Sequence, residues 1–285
     1  MKKVIPFLLI MIVVITSCEK EYSAENLDNG NDQIVGLDCR ISKIVYTDTA
    51  GTGTGLGSIA ADINSLDIVQ EIIRYDSLSG TLDFLGRPTY TNDTVYINPD
   101  EYFVVDANKR IAKQHGLVDP TDPGSLQFDQ FFLYNASGYL VTKNYFLTLF
   151  PTTPLHHVDY TYESGNLVRM TRTNDATGDL EVDADLSYHA HIIPKRYMYI
   201  FPDENAYADY TQFFNFGSRN FNAIKKMTVR NFDPGNVVRD SAVSTFSNYI
   251  MSRDTYVFSV QMGGDAQPSL PAQAGKLSFS YHCNK

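Results

Sequence analysis

The sequence has few of the features that define an enzyme or a nucleic-acid-binding protein. It contains no tryptophan and three cysteines, and its 23 Lys and Arg are outnumbered by 33 Asp and Glu, for a net charge of −10. Because an acidic surface repels a phosphate backbone, we expect no nucleic-acid partner. The same charge argues against electrostatic binding to anionic lipid.

Sequence motifs of the common catalytic and cofactor sites are also missing. No Gly-x-Ser-x-Gly elbow places a nucleophilic serine, and no His-Glu-x-x-His pair marks a zinc helix. The glycine-rich stretch 51–57 lacks the Lys-Ser or Lys-Thr that a phosphate-binding loop requires. We therefore predict a non-enzymatic protein that needs no cofactor.

What is abundant is aromatic side chains, with 19 Tyr and 17 Phe in a chain that is 43% hydrophobic. Aromatic and β-branched residues pack well on a pleated sheet, so this composition favours β-structure around a substantial core.

The N-terminus predicts export and a lipid anchor. Lys2 and Lys3 precede the apolar run 4–15, which is too short for a stable membrane span and fits a secretory signal peptide. The following Ile-Thr-Ser-Cys, which ends at Cys18, resembles a bacterial lipobox; the alternative is an ordinary signal peptide with a chance cysteine. The resemblance implies cleavage before Cys18 and acylation of its thiol, and more than one lipid chain makes such an anchor stable.

The predicted organisation has three parts: a signal peptide over 1–17, a flexible tether over 18–35 and one β domain over 36–285. The acidic start of the tether, at 19–22, resembles the export signal of surface lipoproteins in Bacteroidetes, although it also fits a merely polar tether. We therefore expect an outer-membrane location, with the periplasmic and cell-surface faces both open.

The clearest structural unit is the predicted β-hairpin Val158–Thr173. Val158, Tyr160 and Tyr162 alternate with polar residues, and Glu163–Asn166 supplies a turn in which Gly and Asn tolerate positive φ. Similar units recur along the chain. Further hairpins are predicted at 101–114 and 127–149, and single strands at 39–47, 66–76 (or a short helix), 94–97, 180–191, 194–201, 224–231, 237–247, 255–262 and 277–283.

Successive hairpins predict an all-β fold with one large, curved antiparallel sheet. Such a sheet must bend to cover its apolar face, and a half-barrel is the preferred arrangement, with a two-sheet sandwich as the alternative. Residues 203–214 show the one helical pattern, and we expect this short helix to cover the concave side.

The repeated pattern of an aromatic strand, a Gly or Asn turn and a strand opening on Leu or Val resembles YD-type repeats. The segments 160–167, 232–237 and 277–281 more closely resemble Bacteroidetes lipoproteins that carry a domain of unknown function, DUF4595. The resemblance covers roughly residues 36–285. It implies a β domain and brings no catalytic residues.

Cys39 and Cys283 remain once Cys18 is acylated, and they lie in the first and last predicted strands. In an oxidising compartment such a pair forms a disulfide, which we favour over two separate buried thiols.

Other polar residues permit weaker hypotheses. His189 and His191 would share one face of a strand, but a zinc site needs a third ligand, so interstrand histidines are the simpler interpretation. Asp183 and Asp185 would act in glycoside hydrolysis only at a suitable separation, and are otherwise exposed acids.

Four positions resemble the Asp-Ser/Thr-apolar sequon of O-glycosylation in Bacteroidetes. They are Thr49, Ser77, Thr94 and Ser241. A bulky glycan is tolerated at such strand and loop edges.

Three functions follow in order of preference. The first is a lipid-anchored binding or structural module for a protein or glycan partner, with the membrane contacted through its anchor. The second is an envelope carrier or assembly protein that holds an acyl chain in a concave cavity. The third is a glycan-active enzyme.

Overall fold

The computed structural model describes residues 39–48, 57–76, 81–119, 122, 124–202, 210–265 and 275–283. The predicted signal peptide, tether and lipidated Cys18, and the sequons at Thr49 and Ser77, lie outside the described residues. Within the described residues, no helix has both the length and the apolarity needed to cross a bilayer.

The described residues form seventeen strands. In chain order these are β1 (Cys39–Asp48), β2 (Gly57–Ile63), β3 (Val69–Asp76), β4 (Thr81–Gly86), β5 (Thr89–Tyr90), β6 (Thr94–Asn98), β7 (Glu101–Val105), β8 (Ile111–Leu117), β9 (Gln127–Tyr134), β10 (Leu140–Leu147), β11 (His156–Glu163), β12 (Asn166–Asn174), β13 (Leu180–Tyr188), β14 (Ile224–Asp233), β15 (Val237–Met251), β16 (Val257–Gly264) and β17 (Gly275–Cys283).

All seventeen strands belong to one antiparallel sheet. Each strand from β5 to β16 pairs with the next strand in sequence. The last strand then pairs with the first, and β1 continues through β2 and β3 to β4. A Cβ atom added to Gly86 on β4 would lie 2.7 Å from the carbonyl oxygen of Ile97 on β6, so the two ends of the sheet meet closely there.

The prediction of one large curved antiparallel sheet is therefore confirmed, and the sandwich alternative is wrong. The hairpins predicted at 101–114, 127–149 and 158–173 are confirmed as β7–β8, β9–β10 and β11–β12. In the ambiguous stretch 66–76 the strand alternative is confirmed as β3 over Val69–Asp76, and 66–68 belong to the turn before it. Strands β2, β4 and β5 were not predicted. The glycine-rich stretch before β2 favours a loop, and β4 and β5 are too short to show a clear period of two.

Side chains alternate between the core and the outer face, as the period of a strand requires. In β1, for example, Ile41, Ile44 and Tyr46 are buried, and a β-bulge between Ile41 and Lys43 turns both isoleucines inward. The turn at 163–166 differs in detail from the prediction. Ser164 and Gly165 have positive φ, whereas Asn166 begins β12 and is buried.

A repeated tyrosine hydrogen bond joins the ends of neighbouring strands along one side of the sheet. Tyr134, Tyr188, Tyr249 and Tyr281 lie near the ends of β9, β13, β15 and β17. Each hydroxyl donates to the carbonyl oxygen of the first residue of the preceding strand, or of the next residue, at O···O distances of 2.6–2.9 Å. Burial raises the pKa of all four phenols above the usual range. The tyrosine-rich hairpin pattern thus has a physical role, since it ties neighbouring strands together at their ends.

The predicted strand 194–201 is wrong. These residues belong to the connection between β13 and β14, and the run Tyr197–Phe201 is buried at five consecutive positions. Rings from this connection touch strands far apart in the sheet: Tyr197 packs on Phe279 of β17, and Phe201 packs on Tyr160 of β11. The sheet surrounds the run on several sides, which explains an apolar sequence without a period of two. We call the described residues of this connection, 189–202 and 210–223, the inner segment.

The predicted helix at 203–214 falls partly outside the described residues, which exclude 203–209. Its described end is a 3-10 helix at Tyr210–Phe213. Phe213 and Phe214 are buried in the same core cluster as the strands, so this end does cover the concave side of the sheet.

Candidate functional site

The candidate site lies where the inner segment reaches one edge of the sheet, formed by strand ends and the turns between them. We call this edge the Cys39 rim. It contains the start of β1, the end of β17 and the turns at 64–68, 106–110, 135–139, 164–165 and 252–256, as the strand registers require. Backbone hydrogen bonds join the inner segment to these turns, from Ser218 N to Gly138 O at 2.9 Å and from Phe221 N to Gly165 O at 3.0 Å.

Tyr199 is the residue on which this end of the inner segment is built. Its backbone lacks a strand neighbour, and the buried amide of Gln212 replaces one: Tyr199 N donates to Gln212 Oε1 at 2.7 Å, and Gln212 Nε2 donates to Tyr199 O at 3.0 Å. The Tyr199 hydroxyl donates to Gly217 O and accepts from Phe216 N. Every polar group of this buried tyrosine therefore has a partner, as burial demands.

A cavity of about 260 Å³ opens beside Tyr199. Its lining combines four cations, one carboxylate and several small or polar residues. The lining residues are Arg40, Asp67, Lys109, Arg196, Tyr199, Phe214, Asn215, Gly217, Ser218 and Arg219. We call it the central cavity.

The cations of the central cavity have different environments. Arg40 is held by Asp67, at 3.2 Å between Nη1 and Oδ2, and also donates to the carbonyl oxygens of Asp67 and Phe213.

Arg219 lies over the Tyr199 ring, with its guanidinium carbon 4.1 Å from the ring centroid. Lys109 is exposed, and its Nζ donates to Asn92 O at 3.3 Å. Asp67 is the one carboxylate among the described residues of the lining.

Three of these charged residues have backbone conformations that ordinary side chains disfavour. Asp67, Lys109 and Arg196 have φ values of 63°, 59° and 44°. The left-handed conformation costs roughly 1–2 kcal/mol for a residue with a Cβ atom, and such strain is concentrated at functional sites.

Two further cavities adjoin the central one. A cavity of about 560 Å³ shares Arg40, Asp67, Lys109, Phe214 and Asn215 with it and is otherwise lined mainly by apolar and aromatic residues. That lining includes Leu66, Ile68, Val69, Tyr90, Val95, Val105 and Ile111. A cavity of about 500 Å³ on the other side shares Asn215, Gly217 and Ser218 and includes Arg110 and Tyr139. Asn215 is exposed and lines all three, so together they form a groove across the rim.

Cys39 and Cys283 face each other across the β1–β17 ladder, and their sulfur atoms are bonded. The backbone N–H of Cys39 also donates to the Tyr256 hydroxyl at 3.1 Å. The bond thus joins the first and last strands at the same rim as the groove.

The histidine pair does not have the predicted arrangement. The predicted strand 180–191 ends at Tyr188, so neither His189 nor His191 lies on a strand. His189 Nε2 lies 3.0 Å from Phe246 O and its ring packs on Tyr249, whereas His191 is exposed. Across the described part of the chain, no three His, Cys, Asp or Glu side chains converge in a metal-binding arrangement.

Asp183 and Asp185 share one face of β13, where arginines from both neighbouring strands bind them. Asp183 accepts from Arg169 and Arg230 at 2.9 Å, and Asp185 accepts from Arg230 at 2.7 Å. This is an ion-pair ladder across β12, β13 and β14. It gives the two carboxylates a structural role in joining strands and does not favour the hydrolase hypothesis.

Two of the four sequons lie in described residues. Ser241 is exposed in the middle of β15, and Thr94 begins β6, is half-buried and lines the apolar cavity. Ser241 is therefore the more accessible of the two, and modification remains a prediction at both.

No sequence pattern identifies the central cavity. Arg40, Lys109, Arg196 and Arg219 are far apart in the chain, and no motif connects them. One signal was present: Lys109 occupies a turn position where Gly or Asn is usual.

Comparison with known proteins gives structural likeness alone. The sequence matches no protein-family profile and no curated protein. Among solved structures, a porin-like protein from Bacteroides uniformis ATCC 8492 is similar with a TM-score of 0.58 and 10% identity, over 85% of this chain and 98% of that one. A porin-like protein from Bacteroides vulgatus ATCC 8482 has a TM-score of 0.52 and 12% identity, over 86% of this chain and 99% of that one. At these identities the likeness shows that the fold is shared.

Proposed function

We propose that the protein is a lipid-anchored component of the outer membrane whose β domain is a non-enzymatic binding module, and that the groove at the Cys39 rim is its binding site. The observation that carries the binding role is the groove itself, a set of three adjoining cavities around exposed Asn215 in a protein whose sheet interior is otherwise packed with aromatic side chains. Binding sites are typically concave, with a few convergent polar groups.

The anchor and the location rest on different support. The lipobox-like end of the signal peptide implies acylation of Cys18, and the hairpin pattern resembles the DUF4595-like lipoproteins of Bacteroidetes. The fold shared with two Bacteroides proteins agrees with that origin. Tyr197–Phe201 and Phe213 fill the inside of the sheet, so we do not propose that this chain forms a pore.

A second candidate, the acyl carrier, is favoured by one observation. The cavity of about 560 Å³ is lined by Leu66, Val69, Val95 and Ile111, among others, and opens beside the cations of the central cavity. An apolar chain would be bound in this part of the groove and not in the filled interior of the sheet.

Site-specific crosslinking in the native host tests the binding role. A photo-crosslinking amino acid at position 215 is expected to give a defined adduct, which mass spectrometry then identifies. The matched control is position 152, an exposed threonine in the β10–β11 loop at the opposite edge of the sheet. Equal labelling from the two positions, or none from position 215, would contradict a binding site at the groove.

The anchor is tested separately by metabolic labelling with a palmitate analogue. We expect label in the wild-type chain and none in Cys18→Ser. Label that persists in the variant would show that Cys18 is not the acylated residue.

A further inference from the structure

We infer that the outer face of strands β6–β10 rests on the membrane surface, as a second contact beside the lipid anchor. We call this face the aromatic face. Its members are aromatic or aliphatic side chains that point away from the core: Tyr96, Tyr102, Val104, Phe131, Leu133 and Phe146. The inference rests on the proposed anchor, because the anchor holds the domain near a bilayer, and it goes further by assigning the side of the domain that faces the lipid.

The first argument is that the aromatic face has no role in the core. On β9, Phe131 and Leu133 alternate with the buried residues Gln130 and Phe132, and they are 38% and 51% exposed. Phe132 already packs in the core on the inner face of the same strand, so the outward side chains add nothing to it. A group of exposed apolar side chains marks an interaction surface.

The second argument is that the aromatic face is continuous. The rings of Tyr96 and Tyr102 are in contact, with 5.6 Å between centroids, and so are those of Phe131 and Phe146, also at 5.6 Å. Lys113 on β8 joins the two pairs, because its Nζ lies 6.0 Å from the Tyr102 centroid and 5.5 Å from the Phe131 centroid. The rings therefore form one surface from β6 to β10.

The third argument is the contrast with the neighbouring strands. Leu133 lies opposite Thr142, and the same row of outward side chains continues through Asp159 on β11, Thr171 on β12 and Asp183 on β13. The row changes from apolar to polar at β10. The domain thus has one side that suits a lipid surface and another that suits water.

The charges of the aromatic face also suit a phospholipid surface. Lys113, His115 and Asp129 are the ionisable side chains that point outward from the described strands β7–β10. Asp129 Oδ1 lies 2.9 Å from Lys113 Nζ and 2.8 Å from His115 Nδ1. Because Lys113 neutralises the carboxylate, this side of a protein with a net charge of −10 does not repel phospholipid headgroups.

The length of chain before β1 allows this orientation. The twenty residues 19–38 separate Cys18 from Cys39, and a chain of that length spans at most about 66 Å. Along the sheet from β1, the strands β2, β3, β4, β6, β7, β8 and β9 follow one another. Leu133 therefore lies seven strand spacings from β1, or about 34 Å. The anchor reaches a bilayer on which the aromatic face rests.

The aromatic face adjoins the groove at the Cys39 rim. Val95 on β6 and Val105 on β7 line the apolar cavity, while their chain neighbours Tyr96 and Val104 point outward. Contact between the aromatic face and the membrane therefore brings the apolar cavity close to the acyl chains of the bilayer.

A single indole tests this contact, because the chain has no tryptophan. The acylated full chain is reconstituted in phosphatidylcholine nanodiscs with and without bromine on the acyl chains, and bromine quenches a nearby indole. We expect F131W to lose about half of its emission in brominated discs, since interfacial side chains enter roughly 5–10 Å into the headgroup and acyl boundary. The matched control T245W, at an exposed position on the outer face of β15, should keep its emission.

Two further variants in the F131W background test whether the contact is apolar. Y96S/L133S should shift molecules from the docked to the undocked state by about tenfold or more, because two apolar side chains leave the contact. V237S/V238S also removes two exposed apolar side chains, from the start of β15, and should leave the quenching unchanged. Added NaCl should leave it unchanged as well, since the charges of the aromatic face are paired. If F131W does not fold, Y96W is the reporter and F131S/L133S the variant.

The inference falls if the two indoles are quenched equally, if neither is quenched, or if NaCl abolishes the quenching. It also falls if bromine has no effect while a second copy of the chain in the disc, or a soluble neutral oligosaccharide, shifts the F131W emission to the blue. The aromatic face would then bind that partner. Palmitate labelling at Cys18 and crosslinking from position 215 would still report on the anchor and the groove, so this failure is distinguishable from failure of the proposed function.

Discussion

The strands and the inner segment bury similar aromatic sequences by different means. A strand buries every second residue, and its backbone hydrogen bonds are supplied by the strands on either side. The inner segment buries five consecutive residues, Tyr197–Phe201, and at Tyr199 the side chain of Gln212 takes the place of a neighbouring strand. Backbone pairing between neighbouring strands therefore satisfies the whole sheet, whereas the backbone of the inner segment depends on individual side chains.

This difference determines where single substitutions are costly. A change in a strand leaves the ladders intact, so its cost is local. A change at a residue that satisfies the backbone of the inner segment leaves buried groups without partners and also disturbs the groove at the Cys39 rim.

The largest effect is expected at the junction of the first and last strands. Removing the Cys39–Cys283 bond in the double variant Cys39→Ser/Cys283→Ser should lower the free energy of unfolding by about 4–5 kcal/mol, because a bond that closes nearly the whole chain removes much entropy from the unfolded state. Urea denaturation of wild type and variant measures the loss. Two free thiols in the untreated mature protein, detected by non-reducing mass spectrometry, would contradict the premise.

The second effect is expected where a side chain replaces a neighbouring strand in the inner segment. Gln212→Leu removes two hydrogen bonds from the buried backbone of Tyr199, and leaving both groups unpaired should cost about 3 kcal/mol. The control is Gln130→Leu on β9, because Gln130 is also buried but its backbone lies between β8 and β10. We expect a loss below about 1.5 kcal/mol there by the same denaturation experiment. Equal losses would show that the inner segment is no more dependent on side chains than the sheet.

The third effect is no larger than the second, lies in the sheet and appears as a pH dependence of stability. Burial raises the pKa of Glu101 from 4.5 to about 7, although amides of Gln114 and Asn98 lie 3.4 Å away and act in the opposite direction. Between these pH values the folded protein retains a proton that the unfolded chain has lost. The stability contributed by Glu101 is therefore fully present below about pH 4.5 and is lost, by up to about 3 kcal/mol, as pH rises through 7.

Glu101→Gln removes this dependence. We expect the variant to be more stable than wild type at pH 8 and nearly equal to it at pH 4.5, as measured by urea denaturation at both pH values. Asp100→Asn, an exposed neighbour in the same turn, should leave the pH dependence of wild type unchanged. A wild-type stability that does not fall between pH 5 and pH 8 relative to Glu101→Gln would rule out a buried, protonated Glu101.

Much of the sheet was predictable because its evidence is local. Alternation in Val158–Tyr162 and the Gly at position 165 identify a hairpin without reference to the rest of the chain, and β14–β15 follows from the turn around Gly235 in the same way. The pairing of Cys39 with Cys283 was also proposed from the sequence, although their contact is long-range.

The candidate site was not predictable by this means. Arg40, Lys109, Arg196 and Arg219 come from a strand, a turn and two parts of the inner segment, and a charged residue at a chain position says nothing about which distant charges it will meet.

The hairpins and the all-β class can be derived from the amino-acid sequence, because a period of two and the turn residues are properties of neighbouring positions. The enclosure of the apolar run 197–201 by the sheet depends on long-range packing, since a continuous apolar run is equally compatible with a buried strand and with an enclosed segment. The same packing brings the cations together beside Tyr199, because wrapping the sheet around that segment brings the turns of one rim together.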